Sequence, residues 1–251
     1  VYVPSYGIGP DYLDYLNKHV ENLKPMDAHL MVKHPQQYLE TFAKAGAAYI
    51  TPHTDCIEGD AFVTIHKIKE LGCKAGVALS PSVPLSTIEY YLPLLDKVTI
   101  MIVDPGIAGQ PVDPQMFVKI NQLAKIRKER GLNFLIEADG SMNSSLYRPL
   151  YEAGADLVIL GPPALWNKDT DFNKAWDIME SELERELDGA LAGYSFCTLG
   201  MLVKRYRRFR SEHSFERTSL ARTRFNTPRN VGYNLHSRTA LRRTHRWSYR
   251  R

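Results

Sequence analysis

The chain has 251 residues and a formal net charge of +4. That total hides a split: residues 1–188 carry 17 Lys+Arg against 26 Asp+Glu, whereas residues 189–251 carry 15 Lys+Arg against 2 acids. Three widely spaced cysteines, odd in number and without a CxxC, argue against a thiolate zinc site and fit a reducing, cytoplasmic setting. No run reaches the roughly 18 apolar residues of a membrane span.

The chain begins at Val1, with no Met, charged n-region or apolar h-region, so a fragment or processed chain without a signal peptide is expected. "VPSYGIGP" reads as a loop. Residues 11–24 then read as a helix, with Leu13, Leu16, Val20 and Leu23 on one side. From residue 26 to about 187, short apolar runs alternate with helix-period segments. The runs lie at 26–32, 48–52, 75–79, 98–103, 134–138 and 157–160. They lack strict polar alternation, as expected of parallel strands covered on both faces. Asp60 and Gly72 bracket one predicted helix. Asp113, Pro114 and Gly131 supply N-cap, N1 and C′ signals for another. "AKAGAAYI" (43–50) and "YEAGADLVI" (151–159) repeat the order helix end, Ala-Gly-Ala turn, strand.

Regular strand–helix alternation predicts right-handed crossovers and a parallel sheet, either open and doubly wound or closed as a (β/α)₈ TIM barrel. No GxGxxG follows the first strand, which weighs against a dinucleotide fold. If the sheet is a barrel, its first two strands are missing from this chain. The expected organisation is a partial barrel domain over 1–187 and a basic tail over 188–251. That tail ("KRYRRFR", "ALRRTHRWSYRR") reads as disordered, as non-native translated sequence, or as a contact for nucleic acid through Arg and interleaved aromatics.

Reactive groups of parallel α/β proteins gather at the C-terminal strand ends. Those ends read "DAHLMV", "ITPHTD", "IMIVDPGIAGQP", "LIEADGS" and "VILGPP". His29 is either a hydrogen-bonded core histidine or a metal ligand at the barrel mouth. Met31 reads as packing, with a cap on a substrate site as the alternative, and His53 as a structural or supporting group. Asp139 closes an apolar run, so its carboxylate requires a metal, hydrogen bonds or a proton. Its plainer role is capping the helix that starts near Ser144. Gly106, Ala108 and Gly109, like Gly140 and Ser141, leave backbone amides uncovered, which suits a phosphate.

"MDAHLMVKHPQQYLETFAKAGAAYIT", "KAGVALSPSVPL", "IMIVDPGIAGQP" and "IEADGSMN", in that order, resemble the ribulose-phosphate 3-epimerase family over roughly residues 1–187. "VDPG", "AGQ" and "DGS" resemble its allulose-6-phosphate 3-epimerases most. The resemblance implies a (β/α)₈ barrel and transfer of the C3 proton of a five- or six-carbon ketose phosphate between two aspartates, through an enediolate. It implies a divalent metal (Zn, or Co, Mn, Mg or Fe) bound by two histidines and the two aspartates, and a homo-oligomer when full length. His29 matches a metal histidine, and Asp139 matches a metal ligand and acid/base. Gly106, Ile107, Ala108, Gly109, Gly140, Ser141 and Gly161 match substrate and phosphate loops, and Met31 and Met101 match site-lining residues. The His-x-Asp strand of the pattern would lie upstream of Val1. Pro162 and Pro163 stand where the phosphate loop usually continues with Ser or Thr, and a proline has no amide to give. Impaired epimerisation by this chain, a non-catalytic barrel remnant, and nucleic-acid contact through the tail are the resulting expectations.

Overall fold

Each of the six apolar runs becomes a strand, and all pairings are parallel. The structure is a computed structural model that describes residues 8–106 and 109–187. The strands are β1 (Met26–Leu30), β2 (Ala47–Pro52), β3 (Lys74–Leu79), β4 (Lys97–Met101), β5 (Leu135–Asp139) and β6 (Leu157–Val158). They form one sheet in the order β1-β2-β3-β4-β5-β6. Helices α1 (Pro10–His19), α2 (Leu39–Lys44), α3 (Ala61–Glu70), α4 (Gln115–Glu129), α5 (Tyr147–Ala153) and α6 (Phe172–Leu187) accompany them. Sequential parallel strands with intervening helices make an incomplete (β/α)₈ barrel.

Successive strand residues point to opposite faces. Leu30, Ile50, Val77, Leu79, Val98, Ile100 and Ile136 pack with helix residues such as Leu39, Ile65, Ile68, Ile120 and Leu123 in one buried core. The intervening residues Asp27, His29, Thr51, His53, Lys97, Thr99, Glu137 and Asp139 bond one another inside the curled sheet. The interior is therefore polar. The sequence expectation of uniformly covered strands overlooked this alternation, because small and β-branched residues sit among the charged ones.

Helix boundaries follow local chemistry. The Asp113 carboxylate accepts from Gln115 N at 2.8 Å, as its capping role predicts. Asp60 differs: it makes no side-chain cap and instead accepts from Gln36 Nε2 at 2.8 Å and 2.9 Å. α1 stops at His19, short of the predicted Lys24, and buries no residue. Leu13 packs against the core but Val20 is exposed, so little favours extending the helix past His19. β6 is only two residues long, although Ile159 N still donates to Ala138 O at 3.0 Å. The repeated Ala-Gly-Ala turns use Gly46 at φ 94° and Gly154 at φ 100°, where an L side chain is strained.

Candidate active site

β1 and β5 are four strands apart in the sheet. In a flat sheet that is about 19 Å, from strand spacings near 4.8 Å. Yet His29 Nδ1 on β1 lies 3.5 Å from Asp139 Oδ2 on β5. Curling of the sheet brings these two C-terminal strand positions together across the barrel interior. Their side chains keep 20% and 18% exposure, so the pair opens to solvent while resting on a buried wall.

That wall includes His53, which is fully buried. Its Nε2 lies 2.8 Å from His29 Nε2, and the rings stack with centroids 4.9 Å apart. Two facing imidazole nitrogens share one proton, so one ring donates and the other accepts. Burial, then neighbouring His29, pushes the His53 pKa down to about 4 against the opposing pull of Asp55 and Asp139. His53 is consequently neutral at pH 7. If His53 accepts, His29 carries its proton on Nε2 and turns the Nδ1 lone pair toward Asp139. His53 thus supports His29, a role the sequence only hinted at through the short spacing Thr51-Pro52-His53 at a strand end.

The capping role for Asp139 is excluded by Asn143, whose Oδ1 accepts from Ser145 N at 3.1 Å at the start of the next helical turn. Met101 is 3% exposed and pairs in register with Asp139. Met31 sits just beyond the end of β1 and is partly buried. Gly140 follows at φ 127°, and a Cβ there would meet Val103 Cγ2 at 2.5 Å. Ser141 takes φ 43°, uncommon for a non-glycine residue, and its buried Oγ has no hydrogen-bond partner. Strain and an unsatisfied hydroxyl in one loop are features of ligand-binding segments. Gly106 and Gly109 both take positive φ after β4. Ile107 and Ala108 lie outside the described residues. At Gly161 the turn closes on itself: Ala164 N and Leu165 N both donate to Gly161 O, at 3.2 Å and 3.0 Å.

One imidazole nitrogen and one carboxylate oxygen 3.5 Å apart have the chemistry and spacing of two adjacent ligands of a divalent cation. Among the described residues, no group of three or more His, Cys, Asp or Glu completes such a site. What the geometry shows is a histidine and a carboxylate brought together at the open end of the sheet.

The model of the ribulose-phosphate 3-epimerase family matches residues 1–164. The chain belongs to the ribulose-phosphate 3-epimerase family. It is 40% identical to ribulose-phosphate 3-epimerase of Synechocystis sp. over 164 residues, covering 64% of this chain and 69% of the relative. Against ribulose-phosphate 3-epimerase of Escherichia coli K12 it is 36% identical over 184 residues, covering 73% and 80%. The match to the chloroplastic ribulose-5-phosphate-3-epimerase of Arabidopsis thaliana is 40% identical and spans 59% of that relative. Among solved structures, KGPDC of Streptococcus mutans superposes with a TM-score of 0.56 at 13% identity, over 71% of this chain and 80% of that one. The 3-hexulose-6-phosphate synthase of Salmonella typhimurium gives 0.50 at 16% identity, over 71% and 81%. These distant likenesses support the barrel fold of this family member. No helix among the described residues is long and apolar enough to cross a membrane.

Proposed function

We propose that this chain carries part of a ketose-phosphate 3-epimerase site, with Asp139 as one of two proton carriers. The observation behind this reading is the approach of His29 and Asp139 across the barrel at 3.5 Å. Asp139 would remove or return the proton at C3 of the sugar, on one face, through an enediolate. His29 and Asp139 would hold a divalent cation, zinc or a similar ion, which supplies electrostatic stabilisation of the developing oxyanion. His53 would fix the His29 ring and its tautomer. Met31 and Met101 would wall the sugar.

The backbone around Gly106, Ile107, Ala108, Gly109, Gly140 and Ser141 would receive the phosphorylated ketose, with Ser141 Oγ as a donor. Gly161 would contribute less. Pro162 and Pro163 offer no amide, and those of Ala164 and Leu165 are taken by the Gly161 carbonyl. The relatives' names favour a five-carbon substrate, whereas "VDPG", "AGQ" and "DGS" favour a six-carbon one. Among the described residues no group of three or more His, Cys, Asp or Glu completes a cation site, and slow epimerisation by the chain alone is expected. The free thiols of Cys56 and Cys73 support a reducing, cytoplasmic setting. Self-association of the full-length protein is part of the reading, as is nucleic-acid contact through 188–251, a segment outside the described residues.

Titration of the purified chain with Co(II), against Asp139→Asn and His29→Ala, tests the ligand assignment. We expect binding that each substitution weakens by at least about tenfold. Equal affinity in all three proteins would remove the metal reading and favour a non-catalytic barrel.

A further inference from the structure

One pleat below the His29–Asp139 pair lies a second polar layer that the proposed chemistry does not use. Lys97, at the start of β4, is 2% exposed. Its Nζ donates to Asp27 on β1 and, at 2.6 Å, to Glu137 on β5. Thr51 Oγ1 donates to Asp27 Oδ1 at 2.8 Å, and Thr99 Oγ1 to Glu137 Oε1 at 2.8 Å. The Tyr49 ring lies 5.8 Å from Lys97 Nζ. Asp27 stands two residues before His29, Thr51 two before His53, and Glu137 two before Asp139. Each member therefore lies on the same inner face of the same strand as a member of the site.

These bonds differ in what they hold. Lys97–Glu137 joins neighbouring strands that the sheet ladder already pairs. Lys97–Asp27 joins β4 to β1, three strands away, across the interior. No ladder bond fixes that distance: β1 is paired with β2 alone among the described strands. The His29–Asp139 approach crosses the same interior one pleat higher.

We propose that Lys97 is a positioning residue whose cross-barrel bond to Asp27 holds β1 at the distance from which His29 meets Asp139. The inference rests on the reading of His29 and Asp139 as the reactive pair. The ammonium also neutralises two carboxylates that would otherwise repel within the interior. A neutral side chain of similar length would do neither, whereas Arg can do both. This assigns Lys97 a part in the site without contact to substrate.

The test separates the cross-barrel bond from simple charge balance and needs no metal or sugar. Asp27→Ala removes the bond to β1 and leaves Lys97 paired with Glu137. Glu137→Gln removes a charge and leaves the bond to β1. In the metal-free chain, the nuclear Overhauser contact between the His29 ring and the Asp139 Hβ protons reports the approach. We expect it to vanish in Asp27→Ala and Lys97→Met and to persist in Glu137→Gln and Lys97→Arg. Chemical shifts of Val77 and Ile100 in the outer core should be unchanged throughout. Where Lys97→Met does not fold, Asp27→Ala, which leaves no unpaired carboxylate beside Lys97, carries the comparison. Full contact intensity in Asp27→Ala, or its loss in Glu137→Gln, would overturn the proposal. A failed Co(II) titration would leave this result standing, so the two readings fail separately.

Discussion

His29 on β1 and His53 just past the end of β2 face each other Nε2 to Nε2 at 2.8 Å, with their rings nearly parallel at 18°. The pair accommodates a single shared proton, and the low pKa of His53 keeps it from taking a second. His53→Phe keeps the buried ring but removes the acceptor. It should weaken Co(II) binding by about 10–100-fold, the usual effect of losing the hydrogen bond behind a ligand imidazole. His53→Gln should recover part of that loss. Isothermal titration of the three proteins measures it, and equal affinities would show that His53 only fills space.

Gly76 faces Thr51 across β2 and β3. A Cβ at residue 76 would collide with Thr51 Oγ1. Thr51 needs that space to donate to Asp27. Gly76→Ala should therefore destabilise the chain by about 1–3 kcal/mol, the range for overpacking a tight interior. The double substitution Gly76→Ala with Thr51→Ala removes the clash, so its cost should be well below the sum of the single ones. Urea unfolding of the four proteins closes this cycle. Strict additivity would mean the strands separate enough to admit the methyl.

Lys119 reaches from α4 to the loop after β3. Its Nζ donates to the carbonyls of Ser80, Pro81 and Val83 at 3.0 Å, 3.2 Å and 2.5 Å, and the residue is 8% exposed. Lys119→Met preserves the stem but removes the donor to Pro81 O and Val83 O, while Ser80 O keeps its bond from Val83 N at 3.0 Å. A loss of about 1–3 kcal/mol is expected for groups left buried without a donor. The urea midpoint should fall accordingly, whereas Lys125→Met on the same helix should leave it nearly unchanged. Equal midpoints for both would show that water reaches the Pro81 and Val83 carbonyls.

The strands and Asp139 were legible in the sequence because both signals are local. Apolar runs mark strands whatever they pair with, and a carboxylate that ends such a run marks a strand tip. His29 was legible through the same strand-end logic and through the motif around it. His53 was not assigned its partner, because nothing local says which strand it faces. Lys97 was missed altogether. At a strand start it reads as an exposed residue, and its partners Asp27 and Glu137 lie 70 and 40 residues away in sequence. α1 was drawn too long because its apolar spacing is helical, but the fold covers that face only as far as Leu13 and Leu16 and leaves Val20 exposed. Cross-barrel pairing depends on curvature, which a single strand's pattern does not encode.

Hydrogen exchange at C3 of the sugar bears most directly on the central claim, that Asp139 is one proton carrier of an epimerase site. The chain would be incubated in D₂O with Co(II) and, separately, ribulose 5-phosphate, xylulose 5-phosphate, allulose 6-phosphate and fructose 6-phosphate. With one carrier in place, deuterium should enter C3 of one epimer of a pair, with little conversion to the other. Asp139→Asn should lower that exchange by at least about 100-fold, the lower end of what a positioned acid/base contributes. Exchange at the same rate in Asp139→Asn, or none in the unaltered chain with any of the four sugars, would contradict the account.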